Sequence, residues 1–427
     1  MIHTIRNLSP RTRLTHIGTD MFKSAYASVT LVRQASEGDS PAAALLGRVL
    51  RRGTTAFPDM SAISGALDEL YGGILSDGYA HPGDAVTTGA GISFIDGDVA
   101  GDATQTDRAF ELLGSLLLSP VTEGGVFARE YVESEKNLLI QSARAVTLNK
   151  PLYATTRLYE HMFGNDVFVT PLERTEEILA EMNPKKLYAF YRKTLEESRI
   201  EIVYCGNADL ETVELAVGAY LAPLLGNIKI PEPYTKIDLA PPHGEPREFS
   251  ETAQANQSTL VAGFRLGEPM LRPNYAAYAV FNYLLGGSPS SKLFANVREK
   301  QSLAYSVGSD YNAMKGFMTI SAGIDADKKD GALAAFYGEL GAMKNGEFTD
   351  AELASAKSRL VSSVLSSLES ADGVAARFFV QHTYGLSYTP LESAALLELV
   401  TRDDVTEAAA GIVPDTVFFL EGKETEV

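Results

Sequence analysis

The stretch VREKQSLAYSVG, Val297–Gly308, sets an arginine and a tyrosine seven residues apart where a helical pattern gives way to a strand pattern. Arg298 falls in the last turn of the predicted helix, and Tyr305 stands second in the run AYSVGSDYN. A guanidinium offers fixed donors to a peptide carbonyl, and a phenol can donate to an oxygen that is gaining negative charge. Spacing alone serves a structural role equally well. Arg298 is then a cation favoured by the dipole at a helix C-terminus, and Tyr305 an aromatic at a sheet edge.

Outward from this block the pattern is an alternation of strands and amphipathic helices. STLVAGFRL and GFMTISAGID read as strands, YAAYAVFNYLLGG and SSKLFANVREK as helices, and long helices follow from Gly331, among them DAELASAKSRLVSSVLSSLES. In GGSPSS, Gly286–Ser291, glycines and hydroxyls precede a helix as in a phosphate loop. The simpler reading is that the glycines end one helix while Ser290 or Ser291 caps the next. Tyr311 and Phe317 alternate with polar residues and read as sheet packing.

The earlier part of the chain carries a similar inventory. PAAALLGRVLRRG, Pro41–Gly53, places Leu45, Leu46, Val49 and Leu50 on one helical stripe. A second helix, DMSAISGALDELYGG, is capped by Asp59 or Ser61 and stopped at Gly72-Gly73; AVTTGAGISFI reads as a strand, DATQTDRAFELLGSLLLSP and EYVESEKNLLIQSARAVTL as helices, and SRIEIVYCGNAD as a core strand. Between about Leu224 and Glu248 the periodicity fails in a run rich in proline and short polar residues, which suits an extended linker. The expected architecture is α+β with two homologous halves, each a mainly antiparallel sheet covered by helices. The halves are residues 1–224 and 248–427, joined by a linker at 225–247.

Composition narrows the function. The chain has 427 residues, 45% hydrophobic and 22% charged, as a globular protein of several units does. A net charge of -18 argues against nucleic acid or an anionic membrane surface as partner. There is no signal-peptide h-region and no run of membrane-spanning length, so the expected compartment is the cytoplasm. The single cysteine, Cys205, excludes an internal disulfide and reads as a buried strand residue. No two of the six histidines lie close enough for HExxH or HxxEH, and GxGxxG, GxxxxGK[ST] and GxSxG are absent.

The block LLGGSPSSKLFANVREKQSLAYSVGSDYNAMKGFMTISAGID resembles the C-terminal half of the pitrilysin/insulinase-type zinc metallopeptidases, the group that includes mitochondrial processing peptidase. RRGTTAFPD, LDELYGG, PLERTEEILAEMNPKKLYAFYRKTL and IVYCGNAD resemble their catalytic half, so the likeness spans nearly the whole chain. Within that family it is most similar to bacterial inactive subunits associated with the 5-aminopentanol modification of elongation factor P. Peptide-cleaving members carry HxxEH before a Gly-Thr turn, two imidazoles binding zinc and the glutamate acting as general base. Aligned on Gly53-Thr54, this chain has Ala44, Gly47 and Arg48 at those places, and Ser142, seven residues after Glu135, where the last ligand would stand. Ala44, Gly47, Arg48 and Ser142 cannot rebuild the site, and Arg48 brings a permanent cation to it. Gly47, costly inside a helix, would mark close approach of another backbone.

The resemblance therefore implies a chain without a metal or catalytic base of its own. It implies a non-catalytic subunit of a heterodimeric zinc metallopeptidase, in which an HxxEH-bearing homologous partner holds the zinc. Arg298 and Tyr305 stand where active relatives bind substrate and stabilise the oxyanion, and the implied ligand is an extended peptide. The alternative is a catalytically silent binding or scaffold protein in peptide processing or elongation-factor-P modification.

Overall fold

Two sheets organise the chain in the computed structural model, which describes residues 2–238, 240–266, 275–383, 386 and 388–423. The first stretch contains strands β1 (Ile2–Ser9), β2 (Thr12–Gly18), β3 (Ser24–Gln34), β4 (Ile74–Asp77) and β5 (Ala85–Ile95), a short hairpin β6 (Thr122–Glu123) and β7 (Val126–Phe127), and β8 (Arg199–Gly206). Its helices are α1 (Asp39–Leu50), α2 (Met60–Glu69), α3 (Gly97–Ala100), α4 (Gln105–Leu118), α5 (Arg129–Ala145), α6 (Lys150–Phe163), α7 (Leu172–Glu181), α8 (Pro184–Glu197) and α9 (Leu210–Tyr220). The second stretch contains β9 (Arg247–Gln254), β10 (Ser258–Leu266), β11 (Ser306–Asn312), β12 (Phe317–Ile324) and β13 (Ile412–Lys423). With them go α10 (Tyr275–Leu285), α11 (Lys329–Lys344), α12 (Asp350–Ser366), α13 (Ala371–Thr383), α14 (Pro390–Leu399), α15 (Arg402–Ala410) and a helix at Leu293–Lys300.

The larger sheet runs β1-β2-β8-β3-β5-β4 and the other β11-β12-β10-β13-β9. If β1 is set aside and the second order is reversed, β2-β8-β3-β5-β4 matches β9-β13-β10-β12-β11 strand for strand in chain order. The chemistry of pairing matches too: β2 with β8 and β9 with β13 are the parallel pairs, and the other neighbours within these sheets are antiparallel. The fold is thus α+β with two mainly antiparallel, topologically equivalent sheets.

Local sequence explains the elements around the candidate site. In α1, Leu45, Leu46, Val49 and Leu50 are at most 2% exposed, as the helical stripe requires. Asp59 caps α2 by accepting from the backbone N–H of Ala62 at 2.8 Å. Past α2 the chain turns through Tyr71 at φ +57°, and past the helix Leu293–Lys300 through Ser302 at φ +52°. Each follows its helix by two residues and precedes an edge strand, so the equivalence of the two sheets extends to their helix terminators. Both are non-glycine residues in the left-handed region, which costs about 1–2 kcal/mol apiece.

The chain forms two compact units that are not two contiguous halves of sequence. One comprises Met1–Ala143, Leu172–Tyr234 and Ser367–Thr383; the other comprises Arg144–Pro171, Thr235–Ser366 and Tyr384–Val427. Each therefore takes in one helix from the other's stretch. In α6, Ala154 and Leu158 join Val261, Phe418 and Leu420 of β10 and β13. In α13, Ala371, Val374, Ala375 and Phe378 join Ile17, Val203 and Cys205 of β2 and β8. The described residues between Leu224 and Arg247 form no helix or strand, and in that run the Gln34 side chain accepts from Tyr234 N at 2.9 Å and donates to its carbonyl at 3.1 Å.

Cys205 is fully buried on β8, and burial pushes its thiol up to about 12. Tyr311 packs half-buried against the second core, while Phe317, 2% exposed, sits with Met162 and Phe163. None of the described helices is long and apolar enough to cross a membrane.

Candidate functional site

On α1 the buried stripe turns Ala44 and Arg48 toward the half-exposed side, with Gly47 buried. A Cβ on Gly47 would lie 3.5 Å from Asp77 Oδ1 and 4.0 Å from Tyr79 Cβ, both ordinary side-chain contacts. Gly47 thus faces the side chains of the β4 end, and no other backbone approaches it. From α5, Glu135 reaches α1: its Oε1 accepts from Arg52 Nη1 at 2.8 Å, and its Oε2 lies 3.8 Å from Arg48 Nη1. Arg52 also stacks its guanidinium over the Tyr131 ring at 5.0 Å. Ser142 lies on the exposed side of the same helix and donates to the Leu138 carbonyl at 2.9 Å, an internal helix bond.

The structure therefore joins Arg48, Arg52 and Glu135 in an ion-paired cluster beside Ala44 and Gly47. Its donor set does not suit zinc. Ala44 and Gly47 have no ligand atom, Arg48 is a fixed cation, Glu135 is held by Arg52, and Asp77 accepts the Tyr79 backbone N–H. Among the described residues, no group of three or more His, Cys, Asp or Glu side chains is placed to hold a metal ion.

The second set of candidates lies at the other turn. The helix Leu293–Lys300 is wound as a π-helix, and at its end Gln301 N donates to the Asn296 carbonyl, five residues back, at 3.1 Å. It lacks the serine cap the sequence predicts. Lys292 occupies the cap position and its side chain bonds Glu352 at 2.9 Å instead of capping the helix, and the Ser291 hydroxyl is buried with no partner among the described residues. Arg298 is exposed and stacks over Phe294 at 4.4 Å. Lys300 is a solvated side chain bonded to Asn296 Oδ1 at 2.9 Å.

Tyr305 follows immediately. Its backbone N–H donates to the Gly323 carbonyl at 2.8 Å, fixing it at the start of β11, and the residue is 59% exposed. The phenol is not idle: Tyr305 Oη donates to Asp325 Oδ1 at 2.9 Å, and Lys328 Nζ holds Asp325 Oδ2 at 2.9 Å. The Asp325 carboxylate raises the phenol above its usual range, because it accepts the phenol's proton in a hydrogen bond and repels a phenolate. Lys328, with Tyr305 contributing, holds Asp325 below the usual carboxylate range. Arg298 and Tyr305 thus have different described partners, a ring for one and a carboxylate for the other.

Sequence reasoning singled out Arg298 and Tyr305 but passed over Asp325, Lys328 and Arg52. Asp325 follows β12, whose register sets Gly323 opposite Ser306 and so brings Asp325 to Tyr305.

With this geometry in hand, comparison with known proteins gives a consistent answer. Residues 181–360 match the family described as Peptidase M16 inactive domain. The chain is 29% identical over 413 residues to the probable inactive metalloprotease YmfF of Bacillus subtilis (strain 168), covering 96% of this chain and 95% of that protein. A conserved protein from Enterococcus faecalis V583 superposes with a TM-score of 0.89 at 25% identity, with 100% of both chains covered. The peptidase M16 inactive domain from Pseudomonas fluorescens shares the fold, with a TM-score of 0.78 at 17% identity over 99% of each chain.

Proposed function

We propose, from the premise that this chain is an inactive M16 peptidase-like homologue, that it is the non-catalytic subunit of a heterodimeric zinc metallopeptidase of the cytoplasm. In this reading an HxxEH-bearing homologue supplies the metal and the base. This chain supplies Arg298 and Tyr305 to an extended peptide, the guanidinium for a substrate carbonyl and the phenol for the developing oxyanion. The observation that carries the reading is a contrast within one chain. The positions of the metal site hold Ala44, Gly47, Arg48 and Ser142, whereas Arg298 and Tyr305 stand exposed at a turn wound through a π-helix and a left-handed serine. The left-handed turn is common to both halves, through Tyr71 and Ser302, whereas the π-helix is found at this one, and such turns are frequent at functional sites.

One observation favours a second reading. Tyr305 already donates its proton to Asp325, so the phenol must leave that carboxylate before it can serve an oxyanion. If it never does, the chain is a catalytically silent binding or scaffold protein in peptide processing or elongation-factor-P modification.

The test is peptide cleavage by this chain, by an HxxEH homologue from the same organism, and by the two co-purified, with Tyr305→Phe and Arg298→Ala in the verified complex. The first reading expects activity only in the mixture, lowered by Tyr305→Phe without loss of assembly. Unchanged kinetics in both variants would remove the assigned roles and leave the scaffold.

A further inference from the structure

We propose that the cavity beneath the last turn of α1 is a carboxylate-binding site that takes an acidic side chain or the C-terminal carboxylate of an extended peptide. The inference rests on the reading that this chain holds peptide, and it names the chemistry of the peptide held.

The cavity measures about 590 Å³, a size suited to a side chain or a short terminus, and its charged lining consists of Arg48, Arg51, Arg52, Asp77 and Glu135. Three arginines against two carboxylates leave one net positive charge, in a chain whose overall charge is -18. The two carboxylates are already engaged. Glu135 receives Arg52 at 2.8 Å, and Asp77 Oδ1 accepts the Tyr79 backbone N–H at 2.9 Å.

The arginines are less committed. Arg48 lies 3.8 Å from Glu135, beyond hydrogen-bonding range, and its side chain is 39% exposed. Arg51 spends one donor on the Leu75 carbonyl at 3.2 Å. Two guanidinium forks, carried on the C-terminal turn of one helix, thus retain donors whose planar geometry matches a carboxylate. Ile63 and Ile74 supply an apolar wall beside them, and β4, which contributes Ile74 and Asp77, pairs among the described residues with β5 alone, at the end of its sheet. That open edge offers backbone donors and acceptors to an extended chain passing the mouth. A guanidinium binds a carboxylate without activating water against it, so the same lining that fails as a metal site retains a ligand instead.

The experiment is fluorescence anisotropy of labelled decapeptides on the full chain. One pair differs only in Glu against Gln side chains, the other only in a free against an amidated C-terminus. The inference expects the carboxylate-bearing member of one pair to bind at least about tenfold tighter, the range of a charge-assisted hydrogen bond, and the pair that shows it identifies the source. Arg48→Gln should erase the preference, and Arg48→Glu should turn it toward Lys-containing peptides, a reversal that misfolding does not produce. Differences below about twofold in both pairs, or a preference that survives Arg48→Gln, overturn the inference. If acidic and neutral peptides bind equally well, the site fails while the peptide-holding reading stands. If no peptide binds the chain, the site fails, and the Tyr305→Phe turnover of the heterodimer decides the other reading on its own.

Discussion

Replacing Arg265 by Met should release α6 from the second unit, because that helix is held by a buried charge it does not itself carry. Arg265 on β10 is 1% exposed. Its Nε donates to Asp415 Oδ2 at 2.5 Å, its Nη2 donates to the Met162 carbonyl at 2.8 Å, and its guanidinium lies 4.6 Å over the Phe163 ring. Met162 and Phe163 close α6, so Arg265 satisfies one of the carbonyls that a helix end leaves without an internal partner. Arg265→Met strands the Asp415 carboxylate in the core, and breaking a buried pair from one side costs about 3–5 kcal/mol. Converting both partners, as in Arg265→Met with Asp415→Leu, removes the uncompensated charge and should return most of the loss, to within about 1 kcal/mol of the parent. With two units in the chain a single unfolding midpoint is not well defined, so the assay is hydrogen exchange of the α6 amides. At about 1.4 kcal/mol per decade, the single substitution should lower protection by roughly two to four orders of magnitude. A loss below about tenfold, or a double variant as exposed as the single one, would refute the reasoning.

Asp325→Asn removes the carboxylate that raises the Tyr305 phenol, so the Tyr305 titration should move down toward the ordinary tyrosine value, with global stability little changed for so exposed a group; an unmoved titration, read by NMR of the labelled ring, would show that Asp325 is not the cause. His382 is pushed down to about 4, first by burial and then by Arg13 and His3, so it stays neutral in the fold while the unfolded chain takes up a proton near its ordinary 6.5. Its contribution is therefore full above about pH 6.5 and is lost as pH falls from there to about 4; α13 exchange protection should drop between pH 7 and 5 in the parent and drop less in His382→Gln, and equal drops would remove His382 as the origin.

How far the sequence reaches can be seen element by element. AVTTGAGISFI and STLVAGFRL coincide with β5 and β10 at their ends, because a buried strand is an unbroken small and apolar run that needs no partner to be recognised. The opening MIHTIRNLSPRTRLTHIG does not look like a strand pair, since β1 is mostly exposed and polar, yet it pairs with β2 from Ile2 to Ser9. The helix Leu293–Lys300 is visible, but eight residues are too few for apolar spacing to separate a π-helix from an α-helix. Which sheet α6 and α13 cover is likewise a matter of packing and not of local pattern. At the candidate site, the residues of one local block are legible, and the contacts made by register are not. Tyr305 and Arg298 stand out in VREKQSLAYSVG, whereas Asp325 reaches Tyr305 only through the pairing of β11 with β12.

The packing of α1 also shows which of its positions can change at little cost to the fold. The core stripe of α1 is Leu45, Leu46, Val49 and Leu50, whereas Ala44 and Arg48 lie on the half-exposed side. Side chains there contribute little apolar burial, so substitutions at those positions come at small cost to stability. Arg298 and Tyr305 are exposed too, the one stacked on Phe294 and the other bonded to Asp325. The turn that presents them carries Ser302 in the left-handed region, where glycine would relieve the strain. Ser302 has its counterpart in Tyr71, so the strain is common to both turns and does not set them apart; what sets the proposed site apart is that Arg298 and Tyr305 carry donors a peptide can use, which Ala44 and Gly47 lack.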